Sequence, residues 1–114
     1  MERDVNEVRL KGRLGSSLKI NPARTAAMVS IATKEEWGDQ NKKEKTSWHT
    51  LQFYGAKKVA AAADALSKGS RAYITGKLQN EKWTGANGQD NFMTKVVVDT
   101  FEPLDKKKTT PTNN

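Results

Sequence analysis

Four aromatic side chains set among basic and polar residues, Trp37, Trp48, Tyr54 and Trp83, are the groups in this sequence best suited to chemistry. Residues 47–54 read Ser-Trp-His-Thr-Leu-Gln-Phe-Tyr and alternate as a strand does. Successive strand side chains point to opposite faces, so Trp48, Thr50, Gln52 and Tyr54 share one face while Leu51 and Phe53 point the other way. Leu51 and Phe53 offer a core face. The other face then carries two large rings and two small polar groups. Rings shown to solvent beside lysine and arginine suit stacked nucleobases and a phosphate backbone, at about 1–3 kcal/mol per stacked base and with little sequence preference. Trp37 and Trp83 lie in polar sequence with lysine or glutamate beside them, which argues against burial in a core.

The charge balance points the same way. Lys plus Arg number 20 against 13 Asp plus Glu, a net charge of +7 over 114 residues. Such a balance favours polyanionic partners, nucleic acid first and an anionic membrane second. No apolar run approaches the ~20 residues a spanning helix needs. Arg9, Lys11 and Arg13 alternate onto one strand face, and Arg71 and Lys77 onto another. Arg9, Lys11 and Arg71 are the expected phosphate contacts. Lys34, Lys42, Lys43, Lys45, Lys57, Lys82 and Lys95 are expected to add charge in loops and edges.

Several functions are disfavoured by what the sequence contains. It has no cysteine, hence no disulfide, thiol nucleophile or cysteine-ligated metal. His49 is its one histidine and has no second to pair with in a metal site or catalytic dyad. Asp64, Asp90, Asp99, Glu35 and Glu36 show no paired-carboxylate spacing, and the glycines lack a phosphate-loop pattern. The expectation is a protein that is not an enzyme and needs no metal or cofactor. The opening Met1-Glu2-Arg3-Asp4 is too charged for a secretory signal, so a cytoplasmic location is expected.

These residues need strands to position them. Val8, Leu10, Gly12 and Leu14 alternate with basic residues as a half-buried first strand. Gly15-Ser16-Ser17 and the stretch around Asn21-Pro22 read as turns. Residues 27–33 form a second strand expected to be covered on both faces. Residues 34–45 read as a long protruding loop around Trp37, and the third strand runs from about 46 to 54. The period then changes: Val59, Ala62, Ala63 and Leu66 make the stripe of a short helix, with Gly69 as its left-handed cap. In the fourth strand Ala72, Ile74, Gly76 and Leu78 face inward. Asn87-Gly88 turns a second long hairpin containing Trp83, and the last strand covers about 92–101. Residues 1–104 form one domain, and 105–114 a short, basic, disordered tail. The order predicts an all-β, five-stranded OB-fold Greek-key barrel with one α-helix between strands 3 and 4.

Five blocks of this sequence resemble bacterial single-stranded DNA-binding proteins. They are residues 5–15 (VNEVRLKGRLG), Thr46-Ser47-Trp48-His49, Phe53-Tyr54-Gly55, 68–78 (KGSRAYITGKL), and the last hairpin with Lys82-Trp83, Gly88-Gln89-Asp90 and 94–99 (TKVVVD). The resemblance spans about 5–104. It implies an OB-fold protein, assembled as a homotetramer, that coats single-stranded DNA in replication, recombination and repair and associates with the nucleoid. It also implies base stacking on Trp37, Trp48 and Trp83, and on Tyr54 where the family commonly has phenylalanine. His49 matches a histidine at the family's subunit interface. Two features depart from the pattern. Segment 20–24 (INPAR) differs from the usual second-strand region, and the family's acidic, apolar tail tip has no counterpart here, which puts tail-mediated recruitment of replication proteins in question. Three other readings stay open: an accessory protein of the same fold that contacts a helicase, an RNA-binding domain of cold-shock type, and a purely structural or membrane-surface protein.

Overall fold

The computed structural model describes residues 3–105. Its elements are β1 (Val8–Leu14), β2 (Lys19–Ile20), β3 (Ala26–Trp37), β4 (Lys43–Tyr54), α1 (Ala56–Ala65), β5 (Arg71–Thr84) and β6 (Asp90–Pro103). β1 pairs antiparallel with β5 from Val8 to Arg13 and, at Arg13 and Leu14, with Ala32 and Ile31 of β3. β3 and β4 pair along their full length, β4 meets β6 in parallel at Leu51–Val96 and Gln52–Val97, and β6 returns to β5. These contacts close β1, β3, β4, β6 and β5 into a five-stranded barrel of the OB-fold type. The two residues of β2 add to the outer edge of β3. Among the five barrel strands α1 falls between the third and fourth, as the element order predicted.

Alternation explains the core. The inward residues Leu14, Ala27, Val29, Ile31, Leu51, Phe53, Ala72, Ile74, Val96 and Val98 are all buried. α1 sets Val59 and Ala62 against them, followed by Leu66, and Lys58 Nζ donates to the carbonyl of Val98. Phe53 meets Phe101 edge-to-face at 5.7 Å, a geometry worth about 0.5–1.5 kcal/mol beyond area burial. No helix among the described residues is long and apolar enough to cross a membrane.

Local structure differs from the sequence reading in five places. Residues 34–37 and 43–45 continue β3 and β4, so the loop shrinks to 38–42 and Trp37 sits on a strand end. The second hairpin likewise continues to Thr84 and resumes at Asp90. β3 is covered on one face only, since Met28 is exposed and Ser30 and Ala32 are half-buried. Leu78 keeps its inward parity opposite the buried Val96 but is 49% exposed, because β1 ends at Val8, opposite Gly76, and does not extend alongside it. Finally, α1 ends at Leu66, whose backbone is extended (φ −121°), and Gly69 takes its positive φ in the turn that follows. The expected tail lies outside the described residues apart from Asp105, whose carboxylate accepts from the Arg71 amide at 2.9 Å.

Two glycines permit the closure. A Cβ on Gly12 would stand 2.0 Å from the Ala32 carbonyl oxygen, and one on Gly76 would stand 2.2 Å from that of Val97, beside the register shift at Thr75/Gly76. Both contacts are to backbone, which cannot swing aside. Gly76→Ala is therefore expected to destabilise the domain by about 1–3 kcal/mol, the range for overpacking, read as a lower urea midpoint at unchanged m-value.

Candidate nucleic-acid interface

The outward rows of the barrel carry the aromatic residues. In β3–β4 the outward pairs are Ala26–Tyr54, Met28–Gln52, Ser30–Thr50 and Ala32–Trp48. Gln52 lies beside Val97 of β6, and the same outward alternation runs on through Lys77–Val97, Gln79–Lys95, Glu81–Met93 and Trp83–Asn91. Trp48, Tyr54 and Trp83 therefore share the outside of the barrel, 61%, 46% and 48% exposed. Trp37 pairs with Lys43 and alternates with the opposite, core-facing set. It lies beyond the core, 51% exposed, beside an open cavity of about 540 Å³ at the ribbon tip lined by Gly38, Asp39, Gln40, Asn41 and Lys43. A two-stranded ribbon twists strongly, so this opposite parity does not bar one strand from reaching both Trp37 and Trp48.

Trp48 has a specific support. A Cβ on Gly15 would lie 2.5 Å from Trp48 Cζ3, so the indole leans on the backbone just after β1. That backbone is fixed by the Gly15 amide donating to the carbonyl of Ser30 at 2.9 Å. Between Trp48 and Tyr54 the surface dips into a cavity of about 130 Å³ lined by Ser16, Lys19, Met28, Ser30, Thr50 and Met93 among others. Of these only Thr50 was visible beforehand as part of the aromatic face.

Tyr54 is held from its polar end. Its hydroxyl accepts from Lys95 Nζ at 3.0 Å, and the same ammonium reaches Gln52 Oε1 at 3.4 Å and pairs with the Glu81 carboxylate. Gln52 in turn donates to the carbonyls of Ala27 and Phe53. Lys95 was expected to add charge at an edge. It is instead 6% exposed and, among the described residues, one of two buried polar ones, with Gln52. Burial alone would lower its pKa, but the Glu81 and Tyr54 contacts prevail and hold it above the ordinary lysine value. The ammonium is 5.4 Å from the Tyr54 ring centroid yet 3.0 Å from the hydroxyl. It therefore sits off the oxygen end and does not cover the ring.

The basic stripe on β1 lies outward beside β5, with Arg13 opposite Arg71, Lys11 opposite Tyr73 and Arg9 opposite Thr75. Arg13 also pairs with Ala32, which pairs with Trp48, so Arg13 is the stripe residue nearest Trp48 in register. Arg9 and Lys11 run away from that row. Arg9 is 3.8 Å from Glu7 in an exposed pair of little energetic weight, and Lys11 is exposed. Arg71 projects from the start of β5, its backbone tied to Asp105. His49 is half-buried, its Nε2 3.0 Å from Thr33 Oγ1. Among the described residues no group of three or more His, Asp or Glu is placed to hold a metal.

A closed barrel whose outer rows present rings and cations belongs to the class of proteins that bind extended nucleic-acid chains on a sheet surface. Residues 5–104 match the Single-strand binding protein family, and the chain belongs to that family. A solved structure from Plasmodium falciparum, an SSB in complex with single-stranded DNA, is 32% identical and superposes with a TM-score of 0.79, covering 92% of this chain and 99% of that one. Membership makes the chain a DNA-binding protein and not an enzyme.

The contact between Gly15 and Trp48 can be tested directly. Gly15→Ala is expected to displace the indole and shift its emission while leaving the far-UV circular dichroism unchanged. An unaltered spectrum would mean that Trp48 does not rest on this loop.

Proposed function

We propose that this protein binds and coats single-stranded DNA with little sequence preference, protecting it in replication, recombination and repair in the cytoplasm, at the nucleoid. The observation that carries the reading is the outward row of half-exposed rings, Trp48, Tyr54 and Trp83, on a barrel of net positive charge. Bases stack on Trp48, Tyr54 and Trp83, and on Trp37 where the strand crosses the β3–β4 ribbon tip. Each is expected to contribute about 1–3 kcal/mol, because every base has a π-face. Arg9, Lys11 and Arg71 neutralise phosphates, with Arg13 added by its place beside the Trp48 row. The solved complex of the Plasmodium falciparum SSB with single-stranded DNA supports the choice of ligand.

Assembly as a homotetramer, with His49 at the subunit contact, fits this reading. Wrapping one strand over several subunits raises avidity through effective concentration without new contacts.

Titration with poly-dT, followed by intrinsic tryptophan fluorescence, tests the proposal. Quenching should saturate at a fixed nucleotide-to-protein ratio, weaken with salt, and be absent with duplex DNA. Replacing Trp48 by alanine should weaken binding by about 1–3 kcal/mol. Lys11→Gln should reduce the slope of log affinity against log salt by about 0.7, the share of one phosphate on a single strand. Equal binding to duplex would overturn the reading, and tighter binding to a matched RNA would favour the RNA-binding alternative. Sedimentation velocity tests assembly: a tetramer that dissociates on His49→Ala supports the interface, and a monomeric wild type refutes it.

A further inference from the structure

Lys95 is out of place as a surface cation. An ammonium has three N–H donors and no acceptor. Here three acceptors surround it: the Glu81 carboxylate, the Tyr54 hydroxyl and the Gln52 side-chain carbonyl. With its side chain 6% exposed, it has no donor left for a phosphate. A buried ammonium short of partners would be strongly unfavourable, so this set of contacts must be kept together.

The three partners come from different parts of the fold. Tyr54 ends β4, Gln52 is anchored to the carbonyls of Ala27 and Phe53 above the core, and Glu81 lies on the β5–β6 ribbon. Trp83 is two residues beyond Glu81 on the same outward alternation. The ammonium thus joins the ring at the barrel to the ribbon that carries the next ring.

We propose that Lys95 is a positioning residue for DNA binding, which fixes the Tyr54 ring by its hydroxyl and, through Glu81, ties it to the ribbon bearing Trp83, without itself touching the DNA. The inference rests on the proposed function. It makes the tyrosine hydroxyl a working part of the site, since phenylalanine at position 54 would leave one ammonium donor unmet and the ring free to tilt.

Lys95→Met, Tyr54→Phe and the double variant, compared with wild type in poly-dT titrations over a range of salt, test the idea. Measurements are made below each variant's melting temperature. Tyr54→Phe keeps the Lys95–Glu81 pair and serves as the second probe if Lys95→Met folds poorly. Each single variant is expected to bind up to about tenfold more weakly, the loss of part of one stacked base, with the salt slope unchanged. Adding Tyr54→Phe to Lys95→Met should cost nothing further, because both remove the same tie. A slope lowered by about 0.7 in Lys95→Met would overturn the proposal by making Lys95 a phosphate contact. Wild-type affinity in the folded single variants, or additive losses in the double, would also overturn it. A wild type that fails to bind poly-dT would instead overturn the proposed function itself.

Discussion

β1 is hydrogen-bonded along one side to β5 and, at Arg13 and Leu14, on the other side to β3, and this double pairing turns a curled sheet into a barrel. Closure ties the two ends of the sheet together at these two pairs, while Val8 to Gly12 are paired only with β5. Closure also divides each strand into an inner and an outer row, with the parity of β6 changing at the register shift beside Gly76. The inner rows converge on one small core, in which Phe53, Ile31, Leu51 and Ile74 are fully buried. Backbones approach too closely at Gly12 and Gly76 for any side chain, so these positions belong to the closure itself.

The outer rows are largely free of packing demands, the buried Gln52 and Lys95 excepted, and two kinds of aromatic site result. Trp48 and Tyr54 stand over the core, one leaning on the Gly15 backbone and the other held by Lys95. Trp37 and Trp83 stand on two-stranded ribbons that extend past the core, where nothing lies beneath to bury them. Paired strands without a packed face are only marginally stable on their own. The arrangement sets two rings over the barrel and one on each ribbon beyond it.

Alternation around Leu51 and Phe53 was enough to place Trp48 and Tyr54 outward, and the change of period after Gly55 placed the helix. The ribbons were not legible for a physical reason. A strand with no buried face has no apolar alternation, so residues 34–37 and 43–45 read as loop. Leu78 misled in the opposite sense: its parity was right, but β1 had already ended at Val8 and left it uncovered on one side. Burial of Lys95 could not be read at all. Its partners Tyr54 and Gln52 are 41 and 43 residues away in sequence, and only the pairing of β4 with β6 brings them together.

The exchange of a phenylalanine for Tyr54 is conservative in shape alone. A hydroxyl at the rim of a stacking ring is desolvated when a base covers it, and that is unfavourable unless a partner inside the protein replaces the lost water. Lys95 provides one, and because an ammonium only donates, the tyrosine oxygen must accept and its own proton points elsewhere. The charge of Lys95 is largely cancelled by Glu81, so the pair adds little to the field that draws in phosphate. In the proposed function that attraction comes from exposed cations, Arg9, Lys11, Arg13 and Arg71 among them. On that proposal, long-range attraction and ring placement fall to different cations, and their effects on binding should separate by their dependence on salt.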